Sequence, residues 1–364
     1  MRVMTVNPGS SSIKVSLVEN GGEIDRAVAD RWDGVTSEPL RQSEWPDVDV
    51  VAVRFVHGGD RRTPVVLDEE ILAELANLVA LAPLHQPRSL MAAKLAMLGP
   101  APVVACFDTS FHASIPEAAR VYGLPRDLTV HNGLRRYGFH GLSCQYATRR
   151  VTELIHNDPA ATQVLCVHMG AGVSVTAIRD GHSVDTSMGF TPLEGPVMAT
   201  RSGSVDPGLL VHLLEQKIVR VEELSDVLYH HSGLAGMSGT SGDLRDVLAA
   251  RARGERDAAL AVEVYVHRLR REIGALAASL DRLDAVVFTG GVAVHNPDLV
   301  AEIAGGLGVL GVRVVNRLMA AHGDRVVSPW GALPRVFMIT DREELELAKQ
   351  AEAAMARIEG GVTS

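Results

Sequence analysis

Four residues able to handle anions or protons stand in polar islands of an otherwise apolar chain. They are Arg54 in "VRFVHGGD", Asp108 in "CFDTSFH", His140 in "RRYGFHGLS" and Arg201 in the long, small-residue-rich "VDTSMGFTPLEGPVMATRSGSVDPG". A further island, "LAPLHQP", carries His85. Arginines and carboxylates within reach of a Ser/Gly turn suit phosphoryl transfer, where catalysis is mostly positioning and charge neutralisation. Each residue also has a plainer reading: Arg54 as a surface ion pair, His85 as a helix cap, Asp108 as a strand-end cap, His140 as a satisfied loop histidine. Loops that hold Arg, Asp and His beside small residues are nevertheless where catalytic groups concentrate. The chain has no G-x-x-x-x-G-K-[ST], no G-x-G-x-x-G after a strand and no H-E-x-x-H.

The elements that must position these groups follow from the hydrophobic pattern. "NPGSSSIK", from Asn7 to Lys14, separates the apolar runs "VMTV" and "VSLV" and reads as strand, turn, strand. Small residues in such a turn let backbone amides approach a ligand, and the hydroxyls add donors for phosphate oxygens. "MTVNPGSSSIKVSLVENGG" is matched half a chain later by "LCVHMGAGVSVTAIRDGHS", with Asn7 on His168 and Gly9 on Gly170. A supersecondary unit that recurs suggests two domains of similar fold. "ILAELANLVALAPLH" and "PRSLMAAKLAMLG" read as helices, and "PVVACFDTS" as a buried strand ending in polar residues. Val262, Val266, Leu269, Ile273, Leu276 and Leu280 mark a buried helix face. "AVVFTGGVAV" reads as a strand ending in Gly290 and Gly291, and Asp341 with Glu344 as a cap-like start to a last helix.

Composition excludes other classes. At 364 residues, two domains are the default. A formal charge of -9 and a pI near 5.9 argue against nucleic-acid or anionic-membrane partners, since counterion release needs clustered positive charge. Three cysteines, Cys106, Cys144 and Cys166, fit neither a zinc site nor a disulfide framework, and suit a reducing cytoplasm. No basic-apolar leader precedes "MRVMTVNPGSS" and no uncharged run is long enough to span a bilayer, so a cytoplasmic protein with small-molecule partners is expected.

Taken together and in this order, "TVNPGSSSIK", "RFVHGGD", "LAPLHQP", "FDTSFH", "RRYGFHGLS", "DTSMGFTPLEG", "TRSGSVDPG" and "FTGGV" resemble the acetate kinase family over nearly the whole chain. The resemblance implies an α/β fold of two duplicated actin-like (ribonuclease H-like) domains with a central nucleotide and substrate cleft. The expected domains are residues 1–147 and 148–340, with a helix at about 341–364 packing back on the first. The chain is short for the family, with the apparent deletion between about Gly22 and Val50.

The same resemblance implies the roles. Arg54 and Arg201 hold the acetate carboxylate and the phosphoryl group in flight, Asp108 is the catalytic aspartate, and His140 steadies the transition state. Val56, Leu84, Phe139 and Pro192 form the pocket for the acetate methyl. Asn7, Ser10, Ser12 and Lys14 belong to the first phosphate hairpin. His168, Gly170, Gly172, Asp243, Arg245, Gly290 and Gly291 belong to the nucleotide site, and Asn7 with Glu343 helps hold Mg²⁺, Mn²⁺ being possible. His85 has a lesser, partly structural part. ATP is the expected co-substrate and a homodimer the expected assembly. The nucleotide side departs from the family pattern: Ala171 stands for an asparagine, and Ala293, Val294 and His295 for Gly, Glu and Asn, while Cys144 stands for a histidine. Pyrophosphate as donor, a propionate or butyrate kinase, and a nucleotide sensor without turnover are the competing readings.

Overall fold

The computed structural model describes residues 1–9, 12–30, 32, 47–155 and 162–360. Ser10 and most of the shortened stretch before Val50 lie outside the described residues. The chain forms two compact units: Met1–Ser114 with Phe139–Tyr146 and Arg342–Ser364, and Ile115–Gly138 with Ala147–Asp341.

The first unit contains a six-stranded sheet built from β1 (Arg2–Pro8), β2 (Ser12–Glu19), β3 (Gly22–Asp30), β4 (Val50–Phe55), β5 (Val65–Val66) and β6 (Val103–Phe107), in the order β3-β2-β1-β4-β6-β5. The second contains β7 (Gln163–Met169), β8 (Val173–Arg179), β9 (His182–Thr186), β10 (Ala285–Thr289), β11 (Arg325–Val326) and β12 (Arg335–Ile339), in the order β11-β12-β10-β7-β8-β9. Read from the other edge, the two orders are identical. The register repeats as well. Asn7 pairs with Lys14 across the first hairpin and His168 with Ser174 across the second, so the second turn is one residue shorter. Both units then shift register at the same place, between Leu17 and Val18 and between Ala177 and Ile178.

Alternation of side chains along β1, β4 and β6 gives the first sheet two apolar faces. Met4, Val6, Val51, Val53, Ala105 and Phe107 pack with Leu90, Ala92, Ala93 and Ala96 of the helix Gln86–Ala96. Val3, Val50, Ala52, Val104 and Cys106 pack with Leu347, Ala348, Ala351 and Ala354 of the helix Glu343–Glu359. The three alanines let that helix approach closely. A larger side chain at Ala351 would overpack the layer, at about 1–3 kcal/mol. In the second unit the helix Arg256–Ala277 buries Val262, Val266, Leu269, Ile273 and Leu276, and Leu280 lies beyond its end.

One local reading is corrected. The last helix begins at Glu343 with Arg342 at its cap and no side-chain cap bond, so Asp341 does not cap it. The reason is Glu343 itself, whose carboxylate is drawn to Asn7 and Arg54. Residues 115–138 cluster with the second unit. Arg136 there donates to the carbonyls of Thr186, Ser187 and Met188, at 3.0, 3.2 and 3.0 Å. Among the described residues no helix is long and apolar enough to cross a membrane, and all three cysteines are buried and free of disulfides.

Candidate active site

Strands β1, β4 and β6 run parallel, so their carboxyl ends bring Asn7, Arg54 and Asp108 to one edge of the sheet. That edge is where open α/β sheets bind ligands. The Arg54 guanidinium donates from Nε to Asp108 Oδ1 at 3.0 Å and from Nη2 to Asp108 Oδ2 at 2.7 Å. Its Nη1 donates to Asn7 Oδ1 at 3.1 Å and Glu343 Oε2 at 2.7 Å. Asn7 Nδ2 donates to the same Glu343 oxygen at 2.6 Å. Burial pushes the Asp108 carboxyl above its ordinary range, with Arg54 opposing and Glu343 adding to the rise.

The segment carrying His140 is forced against Asp108. The His140 amide donates to Asp108 Oδ2 at 3.3 Å, and His140 has φ 57°, a left-handed conformation that costs a β-carbon residue about 1–2 kcal/mol. Gly141 follows, where a Cβ would lie 1.9 Å from the Asp108 carbonyl oxygen, so only glycine fits. Phe139 is buried, and its carbonyl accepts from His112 Nε2 at 2.9 Å. Val56 is buried and adjoins His57, whose ring meets the Phe139 edge at 5.8 Å. Leu84 is half-buried and lies two residues before Gln86. Gln86 accepts from the His57 amide at 3.3 Å and donates to the His57 carbonyl at 3.0 Å. His85 stands at the start of the helix Gln86–Ala96 without a side-chain cap bond.

In the second unit Arg201 is buried, and its Nη1 donates to the Pro192 carbonyl at 2.7 Å. Among the described residues no carboxylate lies within ion-pair distance of it. Burial pulls its pKa down to about 10, so it stays charged at neutral pH. His168 is buried near the end of β7, opposite Thr289 of β10. A Cβ on Gly170 would be 3.3 Å from His168 Nε2, and one on Gly290, at φ 88°, would be 2.5 Å from the Met169 carbonyl oxygen. Glycine at 170 thus lets its own hairpin turn tightly, and glycine at 290 lets the end of β10 back onto Met169. Ala171 and His295 are exposed, Val294 is half-buried and Ala293 is buried.

The structure therefore joins Asn7, Arg54, Asp108, His140 and Glu343 in one unit, and His168, Gly170, Gly172 and Gly290 in the other. Lys14 is exposed and Ser12 half-buried on β2. Asp243 and Arg245 form a separate surface pair: Asp243 caps the helix Leu244–Ala252 and accepts from Arg245 N at 2.9 Å and Nε at 3.0 Å. The hydrogen bonds from Arg245 hold the Asp243 carboxyl below its usual range. His57, Gln86 and His112 were not singled out by sequence. Each sits inside or beside a polar island, and that proximity was the available signal.

Solved structures share this architecture. The chain superposes on an acetate kinase from Porphyromonas gingivalis with a TM-score of 0.87 at 30% identity, over 97% of this chain and 99% of that one. It superposes on a propionate kinase from Francisella tularensis with a TM-score of 0.88 at 28% identity, again over 97% and 99%. This likeness over nearly the whole chain, with Arg54 and Asp108 at the strand ends, marks a phosphotransferase. An acetate kinase from Nostoc punctiforme is 42% identical over 321 residues, 87% of this chain and 78% of the relative. The model of the acetokinase family matches residues 25–349, and the chain belongs to that family.

Proposed function

We propose that the protein is an acetate kinase, transferring the γ-phosphoryl group of ATP reversibly to acetate to give acetyl phosphate and ADP. The observation that carries this reading is Arg201, a buried guanidinium with no carboxylate partner among the described residues. An uncompensated buried cation costs several kcal/mol, and an anionic substrate removes that cost. Acetate is ionised at neutral pH, so the reaction needs no strong base. Its difficulty is anion meeting anion, which arginines relieve.

Arg54 and Arg201 bind the acetate carboxylate and the transferring phosphoryl. Asp108 holds the Arg54 guanidinium in one plane, and His140 donates to the phosphoryl oxygens. Val56, Leu84, Phe139 and Pro192 take the acetate methyl. Ser10, Ser12, Lys14, His168, Gly170, Gly172, Asp243, Arg245, Gly290 and Gly291 serve the nucleotide. Asn7 and Glu343, which meet through Asn7 Nδ2 on Glu343 Oε2, would hold Mg²⁺, the Glu343 carboxylate supplying the hard oxygen donor. That ion typically takes one or two carboxylates and completes its shell with water and phosphate. When bound it neutralises phosphate charge. The protein works as a cytoplasmic homodimer in this reading. Incubating it with acetate, ATP and Mg²⁺, and trapping the product with hydroxylamine, tests the assignment. Acetyl hydroxamate formed in proportion to ADP supports it, and ADP release without hydroxamate overturns it.

A further inference from the structure

The loop that presents Pro192 is stitched closed by three residues to which nothing above gives a catalytic part. The Tyr122 hydroxyl donates to Glu194 Oε2 at 2.8 Å and accepts from the Phe190 amide at 2.8 Å. It therefore draws together the two feet of a five-residue arch whose apex is Pro192. Arg136 Nη2 donates to Glu194 Oε1 at 2.9 Å while its Nη1 holds the carbonyls of Thr186, Ser187 and Met188. Gly189 leaves the room this requires, since a Cβ there would lie 1.8 Å from Glu194 Oε2 and 2.2 Å from the Tyr122 hydroxyl. The far side is tied by Ser204, whose Oγ accepts from the Gly195 amide at 2.9 Å and whose amide donates to the Gly195 carbonyl at 2.8 Å. The apex carbonyl, that of Pro192, receives the Arg201 guanidinium.

We propose that Tyr122, Glu194 and Arg136 are positioning residues for the acceptor site: they set the place of Pro192, and through its carbonyl the aim of Arg201, and so govern discrimination by acyl size. This rests on the acetate kinase reading above. The chemistry favours positioning over charge compensation for Arg201 itself. Both Glu194 oxygens are engaged by Arg136 and Tyr122, so this carboxylate fixes the loop and leaves the Arg201 charge to a substrate. Tyr122 keeps its proton, because burial and the neighbouring Glu194 push its pKa up.

The test uses Tyr122→Phe and Glu194→Gln, comparing kcat and KM for acetate, propionate and ATP, with thermal melts of each protein. Losing one hydrogen bond of ordinary strength corresponds to about a three- to tenfold change. We expect KM for acetate to rise by that factor in each variant. The acetate-to-propionate ratio of kcat/KM should fall by at least about threefold, on the scale of a partly lost size filter, and KM for ATP should stay as in the parent. A lower Tm with an unchanged ratio would show a merely structural network and overturn the proposal, as would an unchanged ratio with an unchanged Tm. A parent protein that makes no acetyl phosphate would instead overturn the reading beneath it.

Discussion

Arg54 and Asp108 meet edge to edge, Nε on Oδ1 at 3.0 Å and Nη2 on Oδ2 at 2.7 Å, with the carboxylate fully buried. The pair consumes one whole edge of the guanidinium. The remaining nitrogen is shared by Asn7 and Glu343. Lysine has no such fork, so Arg54→Lys should behave nearly as badly as Arg54→Ala. We expect kcat to fall by about 10³ to 10⁵ in Arg54→Ala and Arg201→Ala, the scale for arginines that stabilise a transferring phosphoryl. Steady-state rates on folded protein check this, and near-normal rates in both variants would remove the arginines from the site.

His112 donates to the Phe139 carbonyl from a fully buried position, and burial pulls its pKa down to about 4. Its ordinary value is about 6.5, so between these pH values the unfolded chain holds a proton that the folded one lacks. Stability is therefore present above about pH 6.5 and lost as pH falls towards 4, by up to about 3 kcal/mol. His112→Asn cannot titrate. It should be less stable than the parent near neutral pH and should close that gap as the pH is lowered. Thermal melts of both proteins across the range decide the matter, and a constant gap would refute the assignment.

Val56 is 5% exposed and lies next to His57, which packs on Phe139. Val56→Ala should make room for one methylene and shift preference from acetate toward propionate, with roughly 1 to 3 kcal/mol as the upper scale. The comparison is kcat/KM for both acids in both proteins. An equal ratio would take Val56 out of the methyl pocket.

The donor site should be permissive. Ala171 lacks the side-chain amide expected there, and a lost hydrogen bond to a charged group is worth about 1.5 to 3 kcal/mol. The glycines of both turns remain, and with them the backbone amides. We therefore expect ATP to be used with weak affinity and other nucleoside triphosphates to be accepted. Initial rates with ATP, GTP, CTP and pyrophosphate at matched Mg²⁺ measure this. A sharp ATP optimum with tight binding would contradict the permissive site, and activity with pyrophosphate alone would overturn ATP as donor.

The duplicated architecture was legible because a strand-turn-strand unit leaves a local trace, and the Asn7 and His168 segments carry it. The matching register shifts after each hairpin left none, since a bulge is decided by the neighbouring strand. The arginines, Asp108 and His140 could be picked out because charged groups among small residues are conspicuous. Their supports could not. Gln86 reaches back 29 residues to His57, and Glu194 reaches 58 to Arg136, and such contacts follow no period. The start of the last helix departs from its sequence pattern for a related reason. Asp341 and Glu344 have the spacing of a cap, but tertiary bonds to Glu343 fix where the helix begins.

Asn7 and Glu343 are separated by 336 residues yet share a hydrogen bond, and the helix that carries Glu343 also seals one face of the first sheet. On the ribosome, at about 5–20 residues per second, the first strand waits roughly 20 to 70 s for that helix to be made. Until then Val3, Val50, Ala52 and Val104 have no cover from it. One face of the amino-terminal sheet thus stays without its helix until translation nears its end, and the Asn7–Glu343 pair can form only then.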